Sequence, residues 1–431
     1  MKTPTLINTA LRTCRDVEIV HEERTEIDLA RPDHRRTARG TGVRVNHEGR
    51  IGFAWVDGDR ADEDLLEEAV RSSAEGPEGV LFAHGLMPPV AGGAEPDPDA
   101  SLERLEALIQ GLEFMLPSLL PDREFRLQAR LLVQRLTLHT RAGQRSGGRV
   151  LHFLTLRSPE DPPLTAGMYT GRPDDTPAEI LCRLAWRTVH SREVVPLPEE
   201  RLPAVFTATA TGRLLRDLAE GPLDIRTSEA VPLPGEAWLH GSVNLWDDGT
   251  VPGAFGTAPF DGEGLPRRRV PLVEGGRLVR RLADRAAARA AGVQPAGLAV
   301  RDWGEAPRPG YSNLVMAPGA SSLGELCDEI GEGLLLDRLT PAPGMAGPGE
   351  FCRRADTAFL VLEGRPVCRV PPVLIRGRYE DLLGRDLVAL GRERAWHGRT
   401  FAPPLAVSQV GIEDPEPDGV EEISDLPGCW W

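Results

Sequence analysis

Two segments near the N-terminus alternate apolar and polar residues, and this alternation constrains the fold more than any other feature. Val17–Asp28 alternates throughout, and Gly40–Trp55 does so on both sides of the turn Asn46–Gly49. A period of two places successive side chains on opposite faces of a strand, so that one face is buried and the other polar. The chain is therefore predicted to open with an antiparallel sheet that contains a hairpin.

Helices are predicted to cover this sheet. Asp62–Ser73 carries leucines at helical spacing behind an acidic first turn, and a second helix is predicted to begin at Ser101 after a Pro- and Gly-rich loop. The remaining elements are the strands Glu124–His139 and Arg149–Leu156, the Gly-rich turn Ala142–Gly148 between them and the helix Pro177–His190. This order predicts an α+β fold in which residues 1–195 form an N-terminal two-layer α/β-sandwich domain.

A β-rich C-terminal domain is predicted over residues 204–412, after the Pro-rich run Val195–Pro203. Its predicted strands are Ala237–Leu245, Arg269–Arg280, Ala358–Glu363 and Val367–Ile375, and its predicted helices are Ala283–Gly292, Ser322–Leu334 and Tyr379–Leu390. Ser322 and Glu325 have the spacing of a capping box. Residues 413–431 form an acidic C-terminal tail that ends in Cys429-Trp430-Trp431.

Charge and hydropathy exclude several classes of protein. The 50 Lys and Arg residues against 65 Asp and Glu give a net charge of −15, which disfavours binding to nucleic acid and to anionic membranes. No apolar run is long enough to span a bilayer, and the N-terminus does not resemble a signal peptide. The six cysteines form no C-x-x-C pair, which predicts reduced thiols and a cytoplasmic location.

Local motifs identify no catalytic site. The nine histidines include no pair at the spacing of a helical zinc site, and nucleophile-elbow, Walker and dinucleotide-binding motifs are also missing from the sequence. Asp247–Gly264 is dense in Gly and Asp, which predicts a series of tight turns in which backbones approach closely. Its oxygen-ligand spacing does not match that of an EF-hand.

Several ordered blocks nevertheless resemble the TldD/PmbA (TldE) family. The blocks in the C-terminal half are Asp247–Gly264, Pro271–Leu278, Pro309–Leu314 and Ala317–Gly319. In the N-terminal half, Gly40–Val45 and Gly49–Ala54 match a further block of the family. The likeness extends from about Val17 to Gly411, and its strength lies in the order and separation of the blocks.

The resemblance implies a cytoplasmic, heterodimeric peptidase. In this family a TldD-like subunit carries zinc, and a TldE-like subunit completes a chamber that cleaves unfolded peptides or the leader peptides of ribosomally made natural products. The zinc ligands of the TldD-like subunit lie on a helix with the motif His-Glu-x-x-x-His, and a late Cys supplies a further ligand. The resemblance therefore leaves open which subunit this chain is.

The segment equivalent to the zinc helix is Val205–Glu220, which has Thr, Ala and Gly where the motif requires His and Glu. The late Cys position falls in Gly391–Pro403, which contains His397 and no Cys. Since Thr and Ala neither bind zinc nor act as a general base, we predict no catalytic residue, no metal ligand and no cofactor in this chain. The expected partner is a TldD-like zinc peptidase subunit, and zinc is expected only there.

The peptide substrate is expected to be extended, because strand addition to a sheet edge binds the main chain of any sequence. Tyr311–Ala317 is the predicted chamber wall, with Tyr311 and Asn313 as predicted substrate-binding residues. Two alternatives remain open at this point. One is a thiol hydrolase with Cys352 as nucleophile, and the other is a stand-alone peptide-binding or scaffold protein. The sequence does not identify the peptide or the cleavage site.

Overall fold

A computed structural model describes residues 3–30, 35–79, 97–121, 123–159, 165–170, 177–178, 180–181, 184–185, 201–227, 231–342 and 347–413. The predicted C-terminal tail after Glu413 lies outside the described residues, as do Cys182, most of the loop before Ser101, residues 186–190 of the predicted helix Pro177–His190 and residues 195–200 of the predicted domain boundary. Among the described residues, helices and strands are both abundant, which confirms the α+β fold class.

The N-terminal half forms one six-stranded antiparallel sheet in the order β3-β2-β1-β4-β5-β6. Its strands are β1 Asp16–Asp28, β2 Arg35–His47, β3 Arg50–Asp57, β4 Arg126–Thr140, β5 Gly143–Arg157 and β6 Thr165–Thr170. The two predicted alternating segments are confirmed as β1 and as the β2–β3 hairpin. The β4–β5 turn is tighter than predicted, because strand pairing continues through the glycines to Thr140 and Gly143.

Helices cover one face of this sheet. They are α1 Thr3–Ala10, α2 Glu63–Ser72 and α3 Pro98–Leu119, and the described residues between 177 and 185 are also helical. Val17 and Ile19 of β1 pack beneath α1 and α2. The third helix begins three residues before the predicted Ser101, because Asp97 accepts a hydrogen bond from the Ala100 N–H and Pro98 occupies the first turn.

The C-terminal half contains a mixed six-stranded sheet and a ring of strands. The sheet has the order β10-β9-β8-β13-β20-β19, with β8 Leu245–Asp248, β9 Arg269–Glu274, β10 Arg277–Leu278, β13 Leu314–Met316, β19 Ala395–His397 and β20 Thr400–Ala402. The ring comprises β7 Arg201–Phe206, β14 Gly333–Pro341, β15 Glu350–Leu362, β17 Val373–Arg378 and β21 Leu405–Glu413, and pairing of β14 with β15 closes it. The remaining strands are β11 Ala299–Val300, β12 Arg308–Pro309, β16 Arg365–Arg369 and β18 Leu387–Leu390.

The described residues of this half include the helices α4 Ala208–Glu220, α5 Arg285–Ala290 and α6 Leu323–Ile330, of which α4 and α6 pack on these strands. The predicted capping box of Ser322 and Glu325 is present at the start of α6. Two predictions were wrong here. Ala237–Leu245 is largely irregular, with one turn at residues 241–242 and a single bridge from Ala237 to Arg277, and the predicted helix Tyr379–Leu390 is a short π-helical turn at Asp381–Arg385 followed by β18. The apolar runs in both segments are short, so tertiary pairing decides their conformation.

The second face of the N-terminal sheet packs against the C-terminal half through buried ion pairs. Arg301 Nη2 lies 2.5 Å from Glu18 Oε1, and Arg44 Nη2 lies 3.0 Å from Glu18 Oε2. Arg44 also reaches Glu263 at 2.8 Å. Trp55 packs against Phe260 beside these ion pairs. Apolar contacts and paired charges therefore hold the two halves of the chain together.

Candidate functional site

The end of β8 places a buried carboxylate against the segment that precedes β13. Asp247 is opposite Leu314 in the strand register. Its carboxylate accepts hydrogen bonds from the Ser312 N–H at 2.6 Å, the Ser312 hydroxyl at 2.8 Å and the Asn313 N–H at 3.0 Å. Burial raises the pKa of Asp247 to about 6, against the opposing effect of the Arg267 guanidinium 4.0 Å away. Asp247 thus fixes the backbone at residues 312 and 313.

Asn313 in turn holds the Gly-rich segment that follows β8. Its Oδ1 accepts a hydrogen bond from the Gly256 N–H at 2.8 Å, and its Nδ2 donates to the Asp248 carbonyl at 2.8 Å and to Thr257 Oγ1 at 3.0 Å. A Cβ at Gly256 would lie 1.9 Å from the Ser312 carbonyl oxygen, so the close approach of the two backbones requires glycine. Both N–H donors of the Asn313 amide are therefore used within the chain.

Tyr311 lies under an arginine of the β19–β20 hairpin. The Arg399 guanidinium stacks 4.3 Å from the centre of the Tyr311 ring and donates a 2.6 Å hydrogen bond to the Tyr311 carbonyl. The same guanidinium lies 3.9 Å from Glu220 on α4. Burial raises the pKa of the Tyr311 phenol to about 12, so this side chain stays neutral at physiological pH.

The β19–β20 hairpin packs directly on α4. Thr400 Oγ1 donates a 3.0 Å hydrogen bond to the Gly212 carbonyl. A Cβ at Gly212 would lie 2.9 Å from the Cβ of His397 and 2.8 Å from Thr400 Oγ1. The two segments that resemble the zinc helix and the late ligand position, which are far apart in sequence, are therefore in contact.

The chemistry that α4 offers at this contact is limited. Its first turn carries only Ala and Thr side chains before Gly212. The acidic residues lie further along the helix and are paired: Asp217 is 2.5 Å from Arg353, and Glu220 is 3.1 Å from Arg216. A general base or metal ligand is thus not available from the first turn of α4.

The described part of the chain shows neither a cluster of metal-ligating side chains nor a membrane-spanning helix. No group of three or more His, Cys, Asp or Glu residues there is arranged to hold a metal ion. The helices in the described ranges include none that is both long and apolar enough to cross a bilayer. Of the cysteines in these ranges, Cys14, Cys327 and Cys368 are buried and Cys352 is half-buried, and none of the four forms a disulfide.

Sequence comparison assigns the chain to a family. Residues 199–414, half of the chain, match the family model described as the PmbA/TldA metallopeptidase C-terminal domain. The chain belongs to the TldD/PmbA family. Because this model covers β7 to β21, the family assignment includes Asp247, Asn313, α4 and the β19–β20 hairpin.

Relatives of this TldD/PmbA chain include curated metalloproteases. A metalloprotease of Methanothermobacter thermautotrophicus is 31% identical over 210 residues, which is 48% of this chain and 46% of the relative. A TldD homologue of Buchnera aphidicola, also described as a metalloprotease, is 26% identical over 132 residues, 30% of this chain and 27% of the relative. The matched regions span less than half of the length of these relatives.

Solved structures show the same fold over nearly the whole chain. TldE from Thermococcus kodakarensis superposes with a TM-score of 0.74 at 20% identity, covering 95% of this chain and 99% of that one. A Thermotoga maritima protein described as a modulator of a DNA gyrase gives a TM-score of 0.74 at 21% identity, covering 95% and 98%. The fold predicted from the resemblance is thereby confirmed.

The predicted substrate-binding residues of this TldD/PmbA chain lie beneath the surface. Tyr311 is 2% exposed and Asn313 is fully buried, and the structure brings them together with Asp247 and Arg399. A direct contact with substrate stays a prediction. Sequence reasoning did not single out Arg399 or Thr400, since neither belongs to a local motif; the only local signal for Asp247 was its position at the start of the Gly-rich segment.

Proposed function

We propose that this chain is the TldE/PmbA-like, non-catalytic subunit of a heterodimeric zinc metallopeptidase. The observation that carries the proposal is the contact between α4 and His397. In this fold the two segments meet as a metal site would require, but the first turn of α4 presents Ala, Thr and Gly instead of imidazole and carboxylate groups. A TldD-like partner subunit would supply the zinc and the general base, and the chain itself would hold no cofactor.

In this proposal the chain forms the wall of a cytoplasmic chamber that admits extended peptides. A narrow chamber excludes folded proteins, and main-chain pairing along a strand accepts many sequences. The segment Tyr311–Ala317 remains the predicted wall, but its strand β13 is paired with β8 on one side and β20 on the other, so it offers no open edge to a peptide. Since the Asn313 amide is fully engaged, its role would be to position the Gly-rich segment and not to contact the peptide. Maturation of a natural-product peptide and general turnover would both use such a chamber.

The decisive experiment compares the chain alone with the chain coexpressed with a zinc-motif paralogue from the same genome. The isolated chain is expected to carry no stoichiometric zinc by elemental analysis and to cleave no unfolded peptide. The complex is expected to elute as a heterodimer, to carry zinc and to lose activity with a chelator. One equivalent of zinc in the isolated chain, or chelator-resistant cleavage by it, would overturn the proposal.

A His397→Ala variant tests whether this chain contributes to the metal. In the complex it should leave the zinc content unchanged, because the proposed ligands all belong to the partner subunit. Loss of zinc from an otherwise intact heterodimer would place His397 among the ligands and contradict the assignment. Failure of every paralogue to form a complex would instead favour a stand-alone peptide-binding or scaffold protein.

The thiol-hydrolase alternative can be tested separately. Cys352 lies on β15 directly opposite Arg376 of β17, and the guanidinium of Arg376 is hydrogen-bonded to the thiol. A nucleophilic cysteine is usually paired with a histidine that accepts its proton, whereas the residue opposite Cys352 is an arginine, whose guanidinium does not accept one. Cys352→Ala is therefore expected to leave the activity of the complex intact, and loss of cleavage by a folded complex would revive this alternative.

A further inference from the structure

One end of the N-terminal sheet has an open edge. Strand β2 pairs with β1 from Arg35 to Asn46, but it pairs with β3 only from Gly40 onward. Residues 35–39 therefore have a neighbouring strand on one side only. All five are exposed, so no described part of the chain covers either face of the sheet there.

The hydrogen-bonding groups of this edge can be assigned from the ladder. In an antiparallel sheet, the N–H and C=O of one residue point to the same side, and those of the next residue point to the other. The Arg39 carbonyl accepts a 2.7 Å hydrogen bond from the Gly58 N–H, on the side of β3. Alternation places the N–H and C=O groups of Thr37 and Arg35 on that same side, beyond the end of β3.

The edge is strongly basic although the chain as a whole is acidic. Its sequence is Arg-Arg-Thr-Ala-Arg, with no acidic residue. Arg39 is paired with Glu23 at 2.7 Å and reaches Asp59 at 3.6 Å. Arg35 and Arg36 point to opposite faces of the strand and form no ion pair within the described ranges.

We propose that residues 35–39 of β2 bind an extended acidic peptide segment by strand addition, in line with β3. The peptide backbone would pair with Thr37 and Arg35, and acidic side chains on its two faces would meet Arg35 and Arg36. Charged edge residues normally prevent unwanted strand pairing. Here the arginines repel basic strands and attract acidic ones. The edge therefore selects acidic peptides and does not exclude every strand.

All residues of this site belong to this chain, so it can be tested without a partner subunit. The probe is a short fluorescein-labelled peptide with two consecutive Glu residues between Val residues, so that an extended backbone presents one carboxylate on each face, and binding is followed by fluorescence anisotropy. The matched peptide with Lys in place of Glu is expected to bind at least about tenfold more weakly. Added salt should weaken binding of the acidic peptide, because exposed charges are screened.

Two variants separate the backbone contribution from the charge contribution. Thr37→Pro removes an N–H on the open side and no backbone hydrogen bond to β1, although it loses the 2.9 Å hydrogen bond between the Thr37 and Thr25 hydroxyls. Thr37→Val loses the same hydroxyl and keeps the N–H, so only the Pro variant should weaken binding beyond the effect of Thr37→Val. Arg35→Glu with Arg36→Glu should abolish the preference for the acidic peptide. Arg365→Glu, which reverses the charge of one exposed residue of β16, is the control and should have no effect.

Several results would overturn the proposal. Equal binding of the acidic and basic peptides would show that the edge does not select peptides by charge. Undiminished binding by a folded Thr37→Pro variant would show that the peptide does not bind by strand addition. Competition by a single-stranded oligonucleotide at the same concentration as the peptide would show attraction of any polyanion. A heterodimer that cleaves peptides but shows no binding at this edge would refute the site without affecting the proposed peptidase role.

Discussion

The carboxylate of Asp247 accepts hydrogen bonds from both the backbone N–H and the hydroxyl of Ser312, at 2.6 and 2.8 Å. This pairing joins β8 to the segment before β13 in a fully buried position. Unpaired buried donors are costly, so the link is expected to contribute strongly to stability.

Asp247→Ala should lower the free energy of unfolding by about 3 kcal/mol or more, because it leaves two N–H groups and a hydroxyl without their acceptor. Ser312→Ala removes one donor and should cost about 1 kcal/mol. Urea denaturation of both single variants and the double variant measures the coupling. Additive effects would show that the two side chains do not interact.

Asp284 caps α5 and is expected to make stability depend on pH. Burial raises the pKa of Asp284 to about 6, and the neighbouring Glu263 carboxylate acts in the same direction. The folded chain then binds this proton more tightly than the unfolded chain, so the free energy of unfolding falls as pH rises from about 4 to about 6. Asp284→Asn keeps the cap on the Ala287 N–H and removes the charge.

The Asp284→Asn variant should therefore be more stable than the native chain at pH 7, by on the order of 1 kcal/mol. Its free energy of unfolding should also vary less with pH between 4 and 6. The matched control is Asp62→Asn at the cap of α2, where a hydrogen bond from Arg60 lowers the pKa of the carboxyl. That variant should lose stability at pH 7. Equal responses of the two caps in thermal melts would contradict the prediction.

Glu18 is expected to have the opposite dependence on pH. Burial alone would raise the pKa of Glu18, but the Arg44 and Arg301 guanidiniums outweigh it and hold the pKa below the usual 4.5. Its contribution to stability is therefore present at neutral pH and is lost as pH falls below about 4. Glu18→Gln should cost about 3–5 kcal/mol at pH 7 and progressively less in acid.

The control for this variant is Glu413→Gln, which removes an exposed ion pair with Arg376 at 3.2 Å. Exposed pairs contribute about 1 kcal/mol or less, so this change should barely alter the unfolding curve. A Glu18→Gln chain that unfolds like the control at pH 7 would show that the buried pair does not stabilise the junction.

Gly40 leaves room for the indole of Trp55. A Cβ at Gly40 would lie 1.9 Å from the Trp55 ring, which packs edge-to-face on Trp303 with centroids 5.3 Å apart. Gly40→Ala should displace the ring, lower the free energy of unfolding by about 1–3 kcal/mol and change the tryptophan fluorescence. Gly241→Ala, where a Cβ meets nothing within 4 Å, is the matched control. Identical spectra for the two variants would refute the prediction.

Local periodicity was sufficient for much of the fold. The alternation of Val17–Asp28 and of the β2–β3 hairpin, and the capping box at Ser322, depend on neighbours within a few residues, and the structure confirms each of them. It was insufficient at Ala237–Leu245 and Tyr379–Leu390, where short apolar runs are compatible with strand, helix or turn. The ordered family blocks identified the family from the sequence alone.

The partners of the buried polar groups were decided only by the tertiary structure. Arg301 and Glu18 are 283 residues apart, and Ser312 and Asp247 are 65 apart. The sequence named Asn313 but not its burial, and only the family resemblance, not a local pattern, indicated that α4 and His397 would lie close together. Strand and helix periods arise from local backbone geometry and are visible in the sequence. The choice among many possible long-range partners depends on how whole elements pack, so it becomes defined only when the chain has folded.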